Sequence, residues 1–266
     1  MINSLGLEVT KFTPVKKSKK TKKLLFYKTA TGNYYLPADA HGDGVAHAIR
    51  NNQVFEKEVV QLASQYIKQG DTVLDVGSNF GQMSILFSNI VGEKGKVHAF
   101  DADDWVFEIL KKNIEANNKT GNIIPHFGAV HNVPGDTLIF PDQDFEEFAS
   151  YGSYGIDYNA KLGRQVNTIT IDGLYIEEPI HFMKIDIQGG DLQAMQGARK
   201  TIERNKMPIL FEYEYNFEEK YNLCFQDYVD FVQSINYKFH RVVTGHNFLI
   251  IPRENDISRK EMQNKA

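Results

Sequence analysis

Apolar runs and helical periodicities alternate along most of the chain. Residues 72–76 (TVLDV) are β-branched and apolar, the pattern of a short buried strand, and Gly77-Ser78-Asn79-Phe80-Gly81 interrupts it. Helical spacing resumes at Met83, Ile85, Leu86 and Phe87. Residues 96–100 (KVHAF) predict a second strand, and Val106, Ile109, Leu110 and Ile114 form the apolar face of a helix over 105–117. A third strand is expected over 123–127, weakened at Pro125, which has no N–H for a ladder. The same rhythm predicts a strand over 180–187, a helix over 191–205, a strand over 208–213 and a helix over 225–235. Two closing strands, 237–243 and 248–251, flank the turn Gly245-His246-Asn247 as a hairpin.

Two regions depart from this rhythm. Upstream, 24–28 and 34–37 predict a β-hairpin around Thr31-Gly32-Asn33, followed by a short helix over 45–49. A longer helix is expected over 55–67, with Val59, Leu62, Ala63 and Tyr66 on one face and Gly70 beyond its end. Between 136 and 171, apolar runs flank Tyr151-Gly152-Ser153-Tyr154-Gly155, which predicts a β-rich insertion with a mobile loop over 151–158. The expected organisation is a basic arm (1–23), a hairpin and short-helix appendage (24–50), and one α/β domain (51–266) carrying the insertion.

Composition narrows the setting. Cys224 is the lone cysteine, which excludes an intrachain disulfide and a cysteine-based zinc site. No apolar run approaches the ~18 residues of a membrane helix, and residues 1–10 lack a signal-peptide core, so a cytoplasmic enzyme is expected. Charge is uneven: residues 1–28 carry +7 and the remainder −11. The lysine run over 16–23 reads as a solvated arm or as a contact to an anionic surface such as lipid, nucleic acid or a phosphorylated glycan. The acidic body argues against general nucleic-acid binding.

The chemistry concentrates at strand ends. A glycine turn between strand and helix lets backbone approach a ligand and presents unpaired N–H groups. The spacing at Asp75, Gly77, Ser78, Asn79 and Gly81 lacks the third glycine of a dinucleotide fold, so a ligand without a diphosphate fits better: S-adenosylmethionine. Asp101, with Ala102 beside it, ends the second strand, where a carboxylate can accept both hydroxyl protons of a ribose. A competing reading treats Asp101 and Asp103 as an Asp-x-Asp metal pair of a glycosyltransferase. Lys184 and Asp186 share one side of a predicted strand, and Glu212 ends its neighbour. Charges in a buried parallel strand are costly unless paired or functional. Asp186 is the first candidate base or acceptor positioner and Glu212 the second, while a structural ion pair through Lys184 is the competing role. The eight histidines form no metal-type spacing; His126, His131, His181 and His246 are those within reach of a cleft.

Residues 71–87 resemble the first motif of the FkbM-type methyltransferases, and 182–198 (FMKIDIQGGDLQAMQGA) resemble that family's second signature. Gln188 and Asp191 stand where the family usually has Glu, and Asp101 where Glu is common, so position 188 is given no catalytic role. The resemblance implies a Rossmann-like class I fold with a mostly parallel seven-stranded sheet and an antiparallel terminal hairpin. It also implies S-adenosylmethionine-dependent O-methylation of a sugar, glycan or other small-molecule hydroxyl. Glu56 then falls on the cofactor side, or on a solvated helix face, and Ala129 and Val130 fall beside adenine, or in the core. A non-catalytic binding module docking through the basic arm is the alternative from a different class.

Overall fold

The computed structural model describes residues 23–141, 150–157, 160 and 162–253. Most of the expected basic arm and Tyr158 of the insertion loop lie outside the described residues. Strands β1 (Leu24–Thr29) and β2 (Gly32–Pro37) form the upstream hairpin, followed by α1 (Gly44–Arg50) and α2 (Lys57–Ala63). The α/β body runs β3 (Thr72–Val76), α3 (Gln82–Val91), β4 (Lys96–Asp101), α4 (Asp104–Ala116) and β5 (Ile123–Phe127). The insertion contributes β6 (Ala129–Val130), β7 (Thr137–Pro141) and β8 (Gly163–Ile169), which form their own three-stranded sheet. The body resumes with β9 (Ile180–Ile185), α5 (Asp191–Gln196), α6 (Arg199–Asn205), β10 (Ile209–Glu212), α7 (Tyr215–Glu218), α8 (Phe225–Ser234), β11 (Tyr237–Val242) and β12 (Asn247–Pro252).

The central sheet has seven strands in the order β11-β12-β10-β9-β3-β4-β5. Its pairs from β5 to β10 are parallel, and β12 pairs antiparallel with both β10 and β11. Pro125 is tolerated because β5 is an edge strand. Alternation along the strands divides the core: Val73, Phe182 and Leu210 bury into one face, Leu74, Met183 and Phe211 into the other. Tyr34 and Leu36 of the hairpin are fully buried in the first of these faces, so residues 24–50 share one core with α3 and α4. Strand order reverses between β4 and β9 around β3, and ligands bind outside the carboxyl ends of strands at such a point.

Three expected elements end differently. The helix expected from residue 55 begins only after Glu56, which takes left-handed backbone (φ 47°). The helix expected over 191–205 divides at Gly197-Ala198. A Cβ on Gly197 would lie 1.9 Å from the His131 carbonyl oxygen, and Asp172 accepts the N–H groups of Lys200 and Thr201 to start α6 afresh. Strand β9 stops at Ile185 because Gln188 and Gly189 both take positive φ (59° and 98°), turning the chain just after Asp186.

Candidate active site

The turn after β3 is shaped by contact, not only by glycine freedom. Gly77 has φ 86°, and a Cβ there would lie 1.9 Å from the Asp186 carbonyl oxygen, so the loops after β3 and β9 touch backbone to backbone. The N–H groups of Gly77 and Ser78 donate to the Phe100 carbonyl at 3.0 and 2.8 Å, tying the turn to β4. Asn79, also left-handed, donates its N–H to Asp101 Oδ2 at 2.9 Å, and Asp103 donates its N–H to Asp101 Oδ1 at the same distance. Each Asp101 oxygen thus keeps acceptor capacity toward the cavity. Burial, reinforced by Asp103, pushes the Asp101 carboxyl up to about 7.

A cavity of about 310 Å³ opens over these strand ends. Its wall includes Glu56, Gly77, Ser78, Asn79, Asp101 and Ala102. Ala129, Val130, Lys184, Asp186 and Glu212 also reach it. Two expected residues do not line it. Asp75 is fully buried beneath the turn, where Ser84 donates to its Oδ2. Gly81 starts α3, and a Cβ there would lie 2.6 Å from Leu110 Cδ1, so it serves the packing of α3 on α4. Of the four histidines, His131 lines the cavity; His126 stacks on His98 and Phe100, His181 faces Asp71 at the opposite strand ends, and His246 sits in the turn before β12, its carbonyl accepting the Tyr213 N–H.

The charged residues of β9 and β10 form one cluster. Lys184 Nζ lies 3.0 Å from Asp186 Oδ2 and 3.9 Å from Asp75 Oδ1. Burial alone would lower the lysine, but Asp186, Asp75 and Glu56 outweigh it and hold it above its ordinary range. Burial likewise opposes ionisation of Asp186, yet Lys184 and hydrogen bonds outweigh it, so its carboxyl titrates below its ordinary value. Glu212 is displaced upward by burial and by Asp186. The two carboxyls are thus pushed in opposite directions, Asp186 down beside Lys184 and Glu212 up beside Asp186. Gln188 Nε2 donates to both, at 3.1 Å to Asp186 Oδ1 and 2.8 Å to Glu212 Oε2. Asp191, buried behind them, accepts the N–H groups of Ile187 and Glu212 and holds the two strand ends together.

The Asp-x-Asp reading fails on geometry. Asp103 caps α4 through the N–H groups of Trp105 and Val106, and Arg164 pairs with both of its oxygens. Its Oδ1 takes three donors and its Oδ2 is held by Arg164, so the carboxylate is committed to the helix cap and to this ion pair.

The Methyltransferase FkbM domain model matches residues 75–239. The chain belongs to this family. Residues 75–239 thus carry the domain of a methyltransferase family. Among curated relatives it is similar to hexuronic acid methyltransferase AglP of Haloferax volcanii, 24% identical over 152 residues, covering 56% of this chain and 58% of that one. It is also similar to ribosomal protein L11 methyltransferase of Dictyoglomus turgidum, 37% identical over 133 residues, 48% of this chain and 39% of that one. The chain spans less than two thirds of the length of these relatives. Among solved structures, methyltransferase FkbM from Methylobacillus flagellatus aligns with a TM-score of 0.45 at 16% identity, covering 72% of this chain and 49% of that one.

The FkbM-type site suits a cationic cofactor. Glu56 Oε2 and Asp75 Oδ1 are buried and accept no hydrogen bond, so negative oxygens beside the Gly77 turn lack a donor. Burial raises both carboxyls; Asp75 has Lys184 against it, while the Glu56 oxygen on the cavity wall is the one a bound cation would relieve. The Gly77 cradle leaves no room for a side chain there.

Several site residues carried no sequence signal. Asp43 Oδ1 caps α1 through the Ala46 N–H, a legible N-cap, but its Oδ2 also accepts the N–H groups of Tyr151 and Gly152. Tyr151 donates its hydroxyl to Asp39 at 3.0 Å, and Tyr221 donates its own to the Ile156 carbonyl. Residues 150–157 thereby form a roof: Gly152 abuts Asn79, and Gly155 abuts Gln188. Gln188, given no catalytic role from its departure from the family pattern, joins the two carboxyls through its amide.

Proposed function

We propose that this enzyme is an O-methyltransferase acting on a hydroxyl of a sugar, glycan or related small molecule, with Asp186 assisting removal of the hydroxyl proton. One observation supports this above the others: the Asp186 and Glu212 carboxyls, bridged by the Gln188 amide and with Lys184 paired to Asp186, stand side by side at the ends of β9 and β10 in a cavity also lined by Tyr151 and Tyr154. When bound, S-adenosylmethionine supplies an electrophilic methyl group on a sulfonium. Asp101 would hold the ribose hydroxyls, Glu56 the ammonium, and the Gly77-Ser78-Asn79 turn the amino-acid end. Ala102, Ala129 and Val130 would flank the base. Asp75 and Gly81 act from behind the wall, by charge balance and packing.

The chain's own groups then divide the acceptor's work. Asp186, kept ionised by Lys184, accepts the hydroxyl proton as the oxygen attacks. Glu212 takes no part in the proton transfer and restrains the position of Asp186 through the Gln188 amide that donates to both. The roof aligns the acceptor and excludes water. A sugar acceptor agrees with the aromatic, glycine-rich roof and with the hexuronic acid relative.

The test is methyl transfer from S-adenosylmethionine to a panel of glycosides and polyols, with the products located by mass spectrometry. Methyl ethers are expected, and Asp186→Asn should retain S-adenosylhomocysteine binding while losing about 100-fold or more in turnover. Methylation of nitrogen or carbon alone, or undiminished turnover in Asp186→Asn, overturns the reading.

A further inference from the structure

At the β9–β10 end of the cavity, the side-chain donors of Lys184, Gln188 and Tyr221 are committed and carboxylate acceptors remain. Lys184, the one Lys or Arg among the described lining residues, is committed to Asp186 and Asp75. The Gln188 amide is divided between Asp186 and Glu212, and the Tyr221 hydroxyl is used by the roof. Glu214, just past β10, lines the same end, and its carboxylate makes no hydrogen bond or ion pair among the described residues. A ligand arriving here meets oxygens that need donors.

We propose that this end selects an acceptor bearing no negative charge beside the methylated hydroxyl, a neutral or amine-bearing sugar, and rejects the uronate form of the same sugar. The inference rests on the sugar-hydroxyl reading above. Neutral hydroxyls and ammonium groups donate to Asp186 and Glu214. A carboxylate would instead face those two anions with no uncommitted cation to meet it, and like charges brought together in a desolvated site are strongly disfavoured. Lys184 cannot turn to such a substrate without abandoning Asp75, which has no other cation nearby in the buried interior. On this reading the chain differs in specificity from its Haloferax relative, named for a hexuronic acid.

The experiment compares methyl glucoside, methyl glucosaminide and methyl glucuronide as acceptors for the full chain with S-adenosylmethionine, reading kcat/KM by mass spectrometry. The glucuronide is expected to fall at least about tenfold below the other two, and Glu214→Lys to narrow that gap by removing one anion and adding a cation. A glucuronide used as well as the glucoside overturns charge selection and leaves the sugar reading intact. A gap that Glu214→Lys leaves unchanged also overturns it, because a missing hydroxyl would then set the preference. Transfer to none of the three, by protein that binds S-adenosylhomocysteine, removes the sugar reading and this inference together.

Discussion

Lys184 and Asp75 face each other across two adjacent parallel strands, ammonium to carboxylate at 3.9 Å, in the buried interior of the sheet. Every strand neighbour of this pair is apolar, so neither charge has water to fall back on. Asp186, at the end of the same strand, draws the ammonium toward the cavity at 3.0 Å. A single lysine thus joins the structural carboxylate under the glycine turn to the candidate base above it.

Replacing that lysine should expose its structural share. Lys184→Met leaves Asp75 and Asp186 without their cation, and breaking a buried pair from one side costs about 3–5 kcal/mol. Urea unfolding near neutral pH should show this loss, and Lys184→Met/Asp75→Asn should recover part of it. An equal loss in the double variant would mean that packing, not charge, is what the lysine supplies.

Cofactor affinity should depend on pH through Asp101. Its carboxyl is raised to about 7, so the folded protein holds this proton at pH values where an ordinary Asp is ionised. Below about 7 the group is neutral and one oxygen becomes a donor, which removes an acceptor and a negative charge from the ribose position. S-adenosylhomocysteine binding should therefore weaken as pH falls from 8 to 6, by up to about tenfold per unit below the transition. Calorimetry on wild type and Asp101→Asn checks this, since the variant should lose the pH dependence. The same shift has a stability consequence of fixed sign. A raised carboxyl favours folding below its unfolded pKa, and that contribution is lost as pH rises through about 7.

Much of the scaffold was legible because its causes are local. The run TVLDV, the turn glycines and the helical spacing after them specify β3 and α3 without reference to anything distant. The carboxylates at strand ends followed from alternation and from the topology. Contacts between segments far apart in sequence were not legible. Gly197 breaks a helix because His131 lies against it, 66 positions earlier in the chain. Asp43 holds a roof more than a hundred residues downstream. The proton balance of Asp186 and Glu212 depends on burial and on Gln188, whose left-handed backbone aims its amide between them. None of these leaves a periodicity or a local motif.

Gln188 should set the pH range of turnover. Gln188→Glu replaces a donor shared by two carboxyls with a third carboxyl, and added negative charge raises the pKa of its neighbours. The base is then ionised over a narrower range. The acid limb of the kcat profile should move up by about one unit, with rates restored at higher pH. A profile that falls in height without moving would show that Gln188 contributes position alone.

Asp43 offers a separate handle on the roof. Its Oδ2 accepts from Tyr151 and Gly152 at 2.8 and 2.9 Å while its Oδ1 caps α1 at 2.7 Å. Asp43→Ala removes these bonds and the longer one from the Ser150 hydroxyl, whereas Asp43→Asn keeps an oxygen acceptor for one set and places an NH₂ against the other. Loss of the cap alone costs about 1 kcal/mol, an amount both ends of a thermal melt can register. On the proposed reading the roof contacts add a functional effect, because most of residues 150–157 would face the acceptor while the proposed cofactor residues come from other segments. Acceptor KM should therefore rise several-fold in Asp43→Ala, with S-adenosylhomocysteine affinity unchanged, and limited proteolysis within 150–157 should accelerate. Tyr151→Phe, which forfeits the hydroxyl's contacts with Asp39 and Trp105 but leaves Asp43 in place, should show the same pattern more weakly. If cofactor affinity and acceptor KM change in parallel, the N-terminal segment supports the whole cavity and not its roof.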